Sequence, residues 1–192
     1  MMMKILVLSS SLNPQSRSEE LAKICDAQLR KGSEVRFLTL KDYSLQGRDL
    51  YAPLQSEDYR QLHQFVSEAD GLVLVSPVHN WSCGAELKRF IEIVGTTSPE
   101  GTVRGAFFDK VVTFVNTAGV PHSYTAFLET ATSMMIDFKC IINPYHVFVT
   151  NSDWEEGNLN AAAMARLTKS MSVFLELVCL LKARTYRSDW EI

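Results

Sequence analysis

The chain has 192 residues, enough to bury a sizeable core, and the simplest organisation is a single domain over residues 1–192. A hydrophobic share of 46% and a charged share of 21% are ordinary for a globular protein, and a net charge of −3 argues against nucleic acid or an anionic membrane surface as the main partner. Cys25, Cys83, Cys140 and Cys179 are scattered, with no Cys-x-x-Cys pair and no histidine at ligand spacing, which fits reduced thiols in a cytoplasm better than a disulfide framework or a metal site.

The first element is a strand over Lys4–Leu8. Its apolar run is shorter than the roughly 7–15 residues of a secretory leader, so no signal peptide is expected. The run Ser9-Ser-Ser-Leu-Asn-Pro-Gln-Ser-Arg-Ser18 follows, and a helix over Arg17–Lys31 places Leu21, Ile24, Cys25 and Leu29 on one face before Gly32 ends it. Glu34–Leu40 predicts a second strand, Lys41–Leu54 a turn-rich segment, and Glu57–Glu68 a helix. Gly71–Ser76 is a buried strand expected to stop at Pro77, followed by a helix over Gly84–Val94. A Gly/Thr/Pro-rich connection (Gly95–Asp109) leads to a strand over Lys110–Val115 and a helix over Ser123–Asp137. The last strand comprises Cys140–Ile142 and Tyr145–Val149, broken at Asn143-Pro144. A long helix over Leu159–Lys182 carries a stripe at Met164, Leu167, Met171, Phe174, Val178 and Leu181, widened by Val173, Leu177 and Leu180. That face packs on the core or reaches a second subunit; its longest apolar stretch, interrupted by Glu176, falls short of the ~20 residues that span a bilayer.

Buried strands alternating with helices predict an α/β three-layer sandwich around a parallel sheet. Five strands fit the flavodoxin-like order 2-1-3-4-5, whose ligand lies at the carboxyl ends of the strands. The loops after strands one, three and four then meet at one edge. The serine-rich first loop opens a helix, so unpaired backbone N–H groups and the positive end of the helix dipole make it an anion site, with Arg17 adding a fixed charge. The alternative is an ordinary loop with an N-cap serine. The second loop, Ser76-Pro-Val-His-Asn-Trp-Ser-Cys-Gly84, and the third, Asn116-Thr-Ala-Gly-Val-Pro121, expose backbone to which a flat ring can come close.

These loops resemble those of the NADPH-dependent FMN reductase family, most closely the flavin reductases of two-component alkanesulfonate monooxygenase systems. That family follows its first strand with Gly-Ser-x-Arg-x-x-Ser-x-Ser/Asn. Here Ser10 stands at the glycine, Ser11 at the first serine, Asn13 at the arginine, and Ser16 and Ser18 at the remaining two positions. The Pro-x-Tyr-Asn-x-Ser…Leu-Lys segment reads Pro77-Val-His-Asn-Trp-Ser82 with Leu87-Lys88, His79 replacing the tyrosine. The likeness spans roughly Lys4–Val149.

The resemblance implies that FMN binds with its phosphate near Ser9, Ser11, Asn13, Ser16, Arg17 and Ser18. Its ring would lie against Pro77, Val78, His79, Asn80 and Trp81 on one side and Asn116, Thr117, Ala118 and Gly119 on the other. NAD(P)H would be the co-substrate, and a flavin, quinone or similar small molecule the acceptor. A homodimer or homotetramer and a partner monooxygenase belong to the same expectation. No residue is expected to act as a general acid or base and no metal is expected, because the cofactor carries the chemistry. Trp81 either stacks near the ring or covers a subunit contact, and Cys83 reads as a small loop hydrophobe. The competing class is a non-enzymatic flavin-binding electron carrier or redox module. A flavodoxin-type carrier calls for a Thr-x-Thr-Gly-x-Thr loop and a markedly acidic surface, and the chain has neither.

Overall fold

Side chains in a strand alternate between the two faces of a sheet, so a strand buried on both faces must be apolar throughout. The computed structural model, which describes residues 2–45, 51–98, 101 and 103–188, is built on strands of that kind. In chain order its elements are β1 (Lys4–Ser9), α1 (Arg17–Leu29), β2 (Glu34–Thr39), α2 (Glu57–Glu68), β3 (Gly71–His79), β4 (Ser82–Cys83), α3 (Ala85–Gly95), β5 (Val111–Ala118), α4 (Leu128–Phe138), β6 (Ile141–Ile142), β7 (Val147–Thr150), β8 (Trp154–Glu155), β9 (Asn158–Leu159) and α5 (Ala161–Lys182). Leu6, Leu8, Leu72, Leu74, Val112 and Phe114 face a core shared with α2, α3 and α4. Their neighbours Ile5, Val7, Val73, Val75, Val111 and Val115 face a second core closed by α1 and α5. Each fully buried aliphatic side chain contributes about 1.5–3 kcal/mol, so these two layers dominate the stability of the fold.

The main sheet has the order β2-β1-β3-β5, with β6 and β7 both paired to the far side of β5. This is the expected parallel 2-1-3-4-5 arrangement, but seven strands enter the sheet instead of five. Two local features account for the difference. The fifth strand is split into β6 and β7, each parallel to β5. Pro144 has no N–H for the ladder, and the buried Asn143 takes over the bonding at the break. Its backbone N–H donates to Val112 O at 2.8 Å, its Nδ2 donates to Thr113 Oγ1 at 3.0 Å and Ser170 O at 3.1 Å, and its Oδ1 accepts from Tyr145 N at 3.0 Å.

The other extra strand is β4, antiparallel to the end of β3. The expected stop at Pro77 does not occur. On the β1 side the pairing has already ended at Ser9–Val75, so the missing Pro77 N–H costs no ladder bond there. β3 continues to His79 and turns through Asn80 (φ 49°) and Trp81 (φ 66°), the two positive-φ residues that a tight type I′ hairpin requires.

Smaller differences fall at element ends. α1 stops at Leu29, two residues before Lys31, and α4 begins at Leu128 because Pro121–Ser123 form a 3-10 turn. The β8–β9 hairpin, which turns through Glu156 and Gly157 at positive φ, occupies the start of the expected final helix. α5 then begins at Ala161, capped by the Asn160 side chain. Parts of the Lys41–Leu54 and Gly95–Asp109 connections lie outside the described residues. Among the described residues, no helix is long and apolar enough to cross a membrane.

Candidate functional site

Sheet register brings the three loops together. Ser9 pairs with Val75, Ser76 with Asn116, Pro77 with Thr117, and Ala118 with Thr150. Ser10 N extends this edge by donating to Val75 O at 2.9 Å. The carboxyl ends of β1, β3 and β5 are therefore adjacent, and their loops open on the same side.

The first loop organises itself around the start of α1. Ser16 is the N-cap: its hydroxyl accepts from Ser18 N at 3.1 Å, and its carbonyl accepts from Glu19 N at 3.0 Å. Ser11 Oγ accepts from Asn13 N at 3.3 Å, and Asn13 Oδ1 accepts from Gln15 N at 2.9 Å. Each serine hydroxyl that accepts in this way keeps its own proton to donate. The hydroxyls of Ser9, Ser10 and Ser18 are buried and have no hydrogen-bond partner. A buried polar group without a partner forfeits about 1–3 kcal/mol, and three of them between the end of β1 and the first turn of α1 are donors that an oxyanion in this loop would complete.

Glu19, in the first turn of α1, carries a charge that would oppose an anion there. Lys41 Nζ at 2.5 Å and Lys23 Nζ at 2.9 Å neutralise it, and the Lys41 hydrogen bond, reinforced by Lys23, holds the carboxyl below the usual carboxylate range. Arg17, the first residue of α1, is exposed, and its guanidinium sits 4.8 Å from the centre of the Trp154 ring.

The second and third loops are tied by a buried polar set. Asn116, fully buried, donates from Nδ2 to Ser76 O at 3.4 Å and to Cys83 Sγ at 3.6 Å, while its Oδ1 has no partner. Gly84 N donates to both Ser76 Oγ and Pro77 O at 3.1 Å, which locks the returning hairpin arm onto β3. Burial raises the Cys83 thiol above its ordinary value, so it stays protonated near neutral pH and acts as a packing residue that donates to Ala126 O. Pro77 and Val78 are half-buried, and His79, Asn80 and Trp81 are exposed. Thr117 is buried, Ala118 half-buried and Gly119 exposed; Asn116–Ala118 belong to β5 and only Gly119 onward forms the loop.

The structure thus brings together the serines and both backbone-rich segments, and turns Arg17 toward the β8–β9 hairpin. Trp154 was missed because residues 150–158 show no periodicity. The Glu19–Lys41 pair was missed because sequence gives no sign that the end of β2 meets the start of α1.

Residues 3–155 match the profile of the family described as NADPH-dependent FMN reductase. No curated protein matches the chain by sequence. Among solved structures it is similar to an NADH:FMN oxidoreductase (EMOB, apo form), with TM-score 0.75 and 18% identity over 95% of this chain and 91% of that one. The flavoenzyme NAD(P)H:(acceptor) oxidoreductase FerB from Paracoccus denitrificans gives TM-score 0.75 and 17% identity, covering 93% and 98% of the two chains. An NAD(P)H:quinone oxidoreductase from Methanothermobacter marburgensis gives 0.61 and 17%, covering 92% and 100%. At these identities the neighbours bear out the flavodoxin-like fold, and the profile match carries the assignment: the chain belongs to the NADPH-dependent FMN reductase family.

Proposed function

We propose that this protein holds FMN at the β1–α1 loop and passes reducing equivalents from NAD(P)H to a small diffusible acceptor, either a flavin or a quinone. Family membership already makes it an oxidoreductase with FMN as cofactor and NAD(P)H as co-substrate. The observation that carries the residue-level reading is the set of three unpartnered buried hydroxyls, Ser9, Ser10 and Ser18, between the end of β1 and the first turn of α1. With the helix amides they form a donor-rich site suited to a phosphate dianion. Asn13 is uncharged, so donor number replaces the ion pair that an arginine at that position would make.

Hydride acceptance from the nicotinamide and electron release to a second substrate are the chemistry FMN supplies when bound. The chain's own part is to bind and orient. Ser9, Ser10 and Ser18, with the hydroxyls of Ser11 and Ser16, donate to the phosphate, and the Pro77–Trp81 and Asn116–Gly119 segments flank the ring with backbone groups. The hydrogen bonds of Asn116 and Gly84 fix the spacing between those segments. His79 and Trp81, both exposed, stand where an incoming nicotinamide or acceptor passes. A quinone acceptor is what the neighbour from Methanothermobacter marburgensis is named for. The reading extends to a cytoplasmic homodimer or homotetramer that can supply reduced flavin to a partner monooxygenase of the alkanesulfonate type.

The test is an absorbance titration of the purified protein with FMN, followed by NADH and NADPH oxidation with added FMN or a quinone. The expected result is saturable FMN uptake and oxidation that accelerates with acceptor. A protein that takes up no FMN overturns the reading.

A further inference from the structure

We infer that a cleft at the amino edge of the sheet binds a phosphate ester of a planar ring, a mononucleotide, at a site separate from the flavin loops. The inference goes beyond the FMN reading and does not depend on it. β3 begins at Gly71 and β5 at Val111, so the residues just before them gather at the end of the sheet opposite the serine loop. The eight residues of β5 separate the two ends by about 25 Å, at ~3.3 Å per residue, which puts a ligand here out of reach of hydride transfer.

Two adjoining hollows make up the cleft. The first, about 560 Å³, lies between α2 and the 103–108 segment, where Tyr59, Val103, Ala106 and Phe108 give it apolar walls. The exposed Arg104 guanidinium lies over the Phe108 ring at 4.0 Å, a plane of the kind on which a nucleobase stacks. The second hollow, about 340 Å³, lies between the end of α2, the start of β5 and the 182–187 segment, and most of its lining is charged. Ser67 and Lys110 line both, so the two hollows meet at the Lys110 side chain. Each volume falls within the ~300–1,000 Å³ of small-molecule sites, and the pair offers one side for a ring and one for an anion.

The second hollow holds more positive charge than its carboxylates use. Asp70 is taken by Lys182 at 2.5 Å, and Glu68 accepts from Gln64 at 2.7 Å and lies 4.0 Å from Arg36. Asp109 is buried and accepts from Ser188 N at 2.9 Å. Lys110, Arg184 and Arg187 are thus left with one carboxylate among them, in a chain whose net charge is −3. Lys110 Nζ donates to Ser67 O at 2.7 Å and Ala69 O at 2.6 Å at the end of α2, so one of its three N–H groups remains. Burial pulls this amine down to about 8 from its ordinary 10.5; Asp70, Asp109 and the Cys140 thiol oppose the shift and Arg184 adds to it. An anion beside it would hold the charge in place. Arg184 spends one N–H on Leu181 O at 2.9 Å, and the exposed Arg187 makes no hydrogen bond or ion pair among the described residues. Ammonium and guanidinium groups only donate, and a phosphate ester supplies the acceptor oxygens and the charge that this set lacks.

The experiment is calorimetric titration of FMN-saturated protein with AMP, adenosine and inorganic phosphate, for wild type, Lys110→Met, Arg187→Gln and, at the other edge, Ser18→Ala. Wild type is expected to saturate with AMP at a Kd below about 1 mM, at least ~10-fold tighter than adenosine or inorganic phosphate. Lys110→Met weakens AMP binding about 10- to 100-fold and Arg187→Gln about 3- to 10-fold, as expected for charge-assisted bonds at a half-buried and an exposed position. Adenosine and FMN affinities stay at the wild-type values in both, and Ser18→Ala leaves AMP binding unchanged. Absence of saturable AMP binding overturns the inference, as does adenosine or inorganic phosphate binding as tightly as AMP. So does an AMP affinity that falls in Ser18→Ala and holds in the two amino-edge variants. Lys110→Met also strips two α2 carbonyls of their donor; if it unfolds, the exposed Arg187→Gln decides. Wild-type protein that takes up no FMN refutes the functional reading alone, and the same AMP criteria then apply to the cofactor-free protein.

Discussion

At the residue scale, two positions carry a cost in the folded protein that only function repays. Ser18 has a buried hydroxyl with no partner, so in the cofactor-free protein Ser18→Ala removes a polar group that gains nothing. Its unfolding free energy is expected to stay level or rise by up to about 1 kcal/mol, while FMN affinity falls about 10-fold. Urea denaturation of the apoprotein and an FMN titration check the two signs together, and a variant that loses both stability and affinity would show that the hydroxyl already has a structural role. Trp81 is the second case. It is 65% exposed and holds φ at 66°, a region that costs a non-glycine residue about 1–2 kcal/mol. Trp81→Gly relieves that strain, gives back part of it through the larger entropy of the unfolded chain, and loses little buried surface. A net gain of about 0.5–1 kcal/mol in the urea unfolding free energy is expected. A loss instead would mean that the indole packs on the protein and is not held out at the strand edge.

At the element scale, the break in the fifth strand shows how a buried irregularity is kept. The Asn143 side chain bonds to Thr113, Ser170 and the Tyr145 backbone, and Ser170 Oγ in turn donates to Tyr145 O at 2.5 Å. Asn143→Leu leaves those groups without partners in a closed space, and a loss of about 2–4 kcal/mol in unfolding free energy is expected, with the secondary-structure signal retained. Thermal and urea unfolding followed by circular dichroism measure it. The break itself was legible, since Asn-Pro in an apolar run announces it, but its polar support was not, because Ser170 lies on α5. The reach of β3 past Pro77 was hidden for a related reason: whether a proline ends a strand depends on whether its neighbour still needs the N–H, and that is a property of the sheet. The serine loop was legible because strand, loop and helix cap are consecutive. The β8–β9 hairpin was not, since two-residue strands have no period, and the Arg17–Trp154 contact joins elements far apart in the chain.

For the whole molecule, burial on both faces of the sheet gives the fold its stability and also its response to acid. His146 lies in the gap between β6 and β7, its ring stacked on Phe127 at 3.8 Å and 17°, with Nε2 buried and unpartnered. That burial pulls the imidazole down to about 4 from its ordinary 6.5. Between pH 6.5 and 4 the unfolded chain therefore binds a proton that the folded chain refuses. Stability contributed by His146 is complete above pH 6.5 and is lost as pH falls toward 4, with a slope that cannot exceed about 1.4 kcal/mol per pH unit. Partial access of the ring to water makes the real slope shallower. Two carboxylates act in the same direction at lower pH. Glu19 is held low by Lys41 and Lys23. For Asp153, hydrogen bonds from Thr150 and Arg166 outweigh its partial burial. Both give up their contribution only as pH falls through and below the usual carboxylate range. The two effects separate in His146→Phe, which keeps the stack on Phe127 and carries no titrating group. Urea midpoints at pH 7 and pH 5 are expected to differ clearly in wild type and by much less in the variant, while both proteins lose stability in parallel below pH 4. Equal drops between pH 7 and pH 5 would assign the acid sensitivity to some other group.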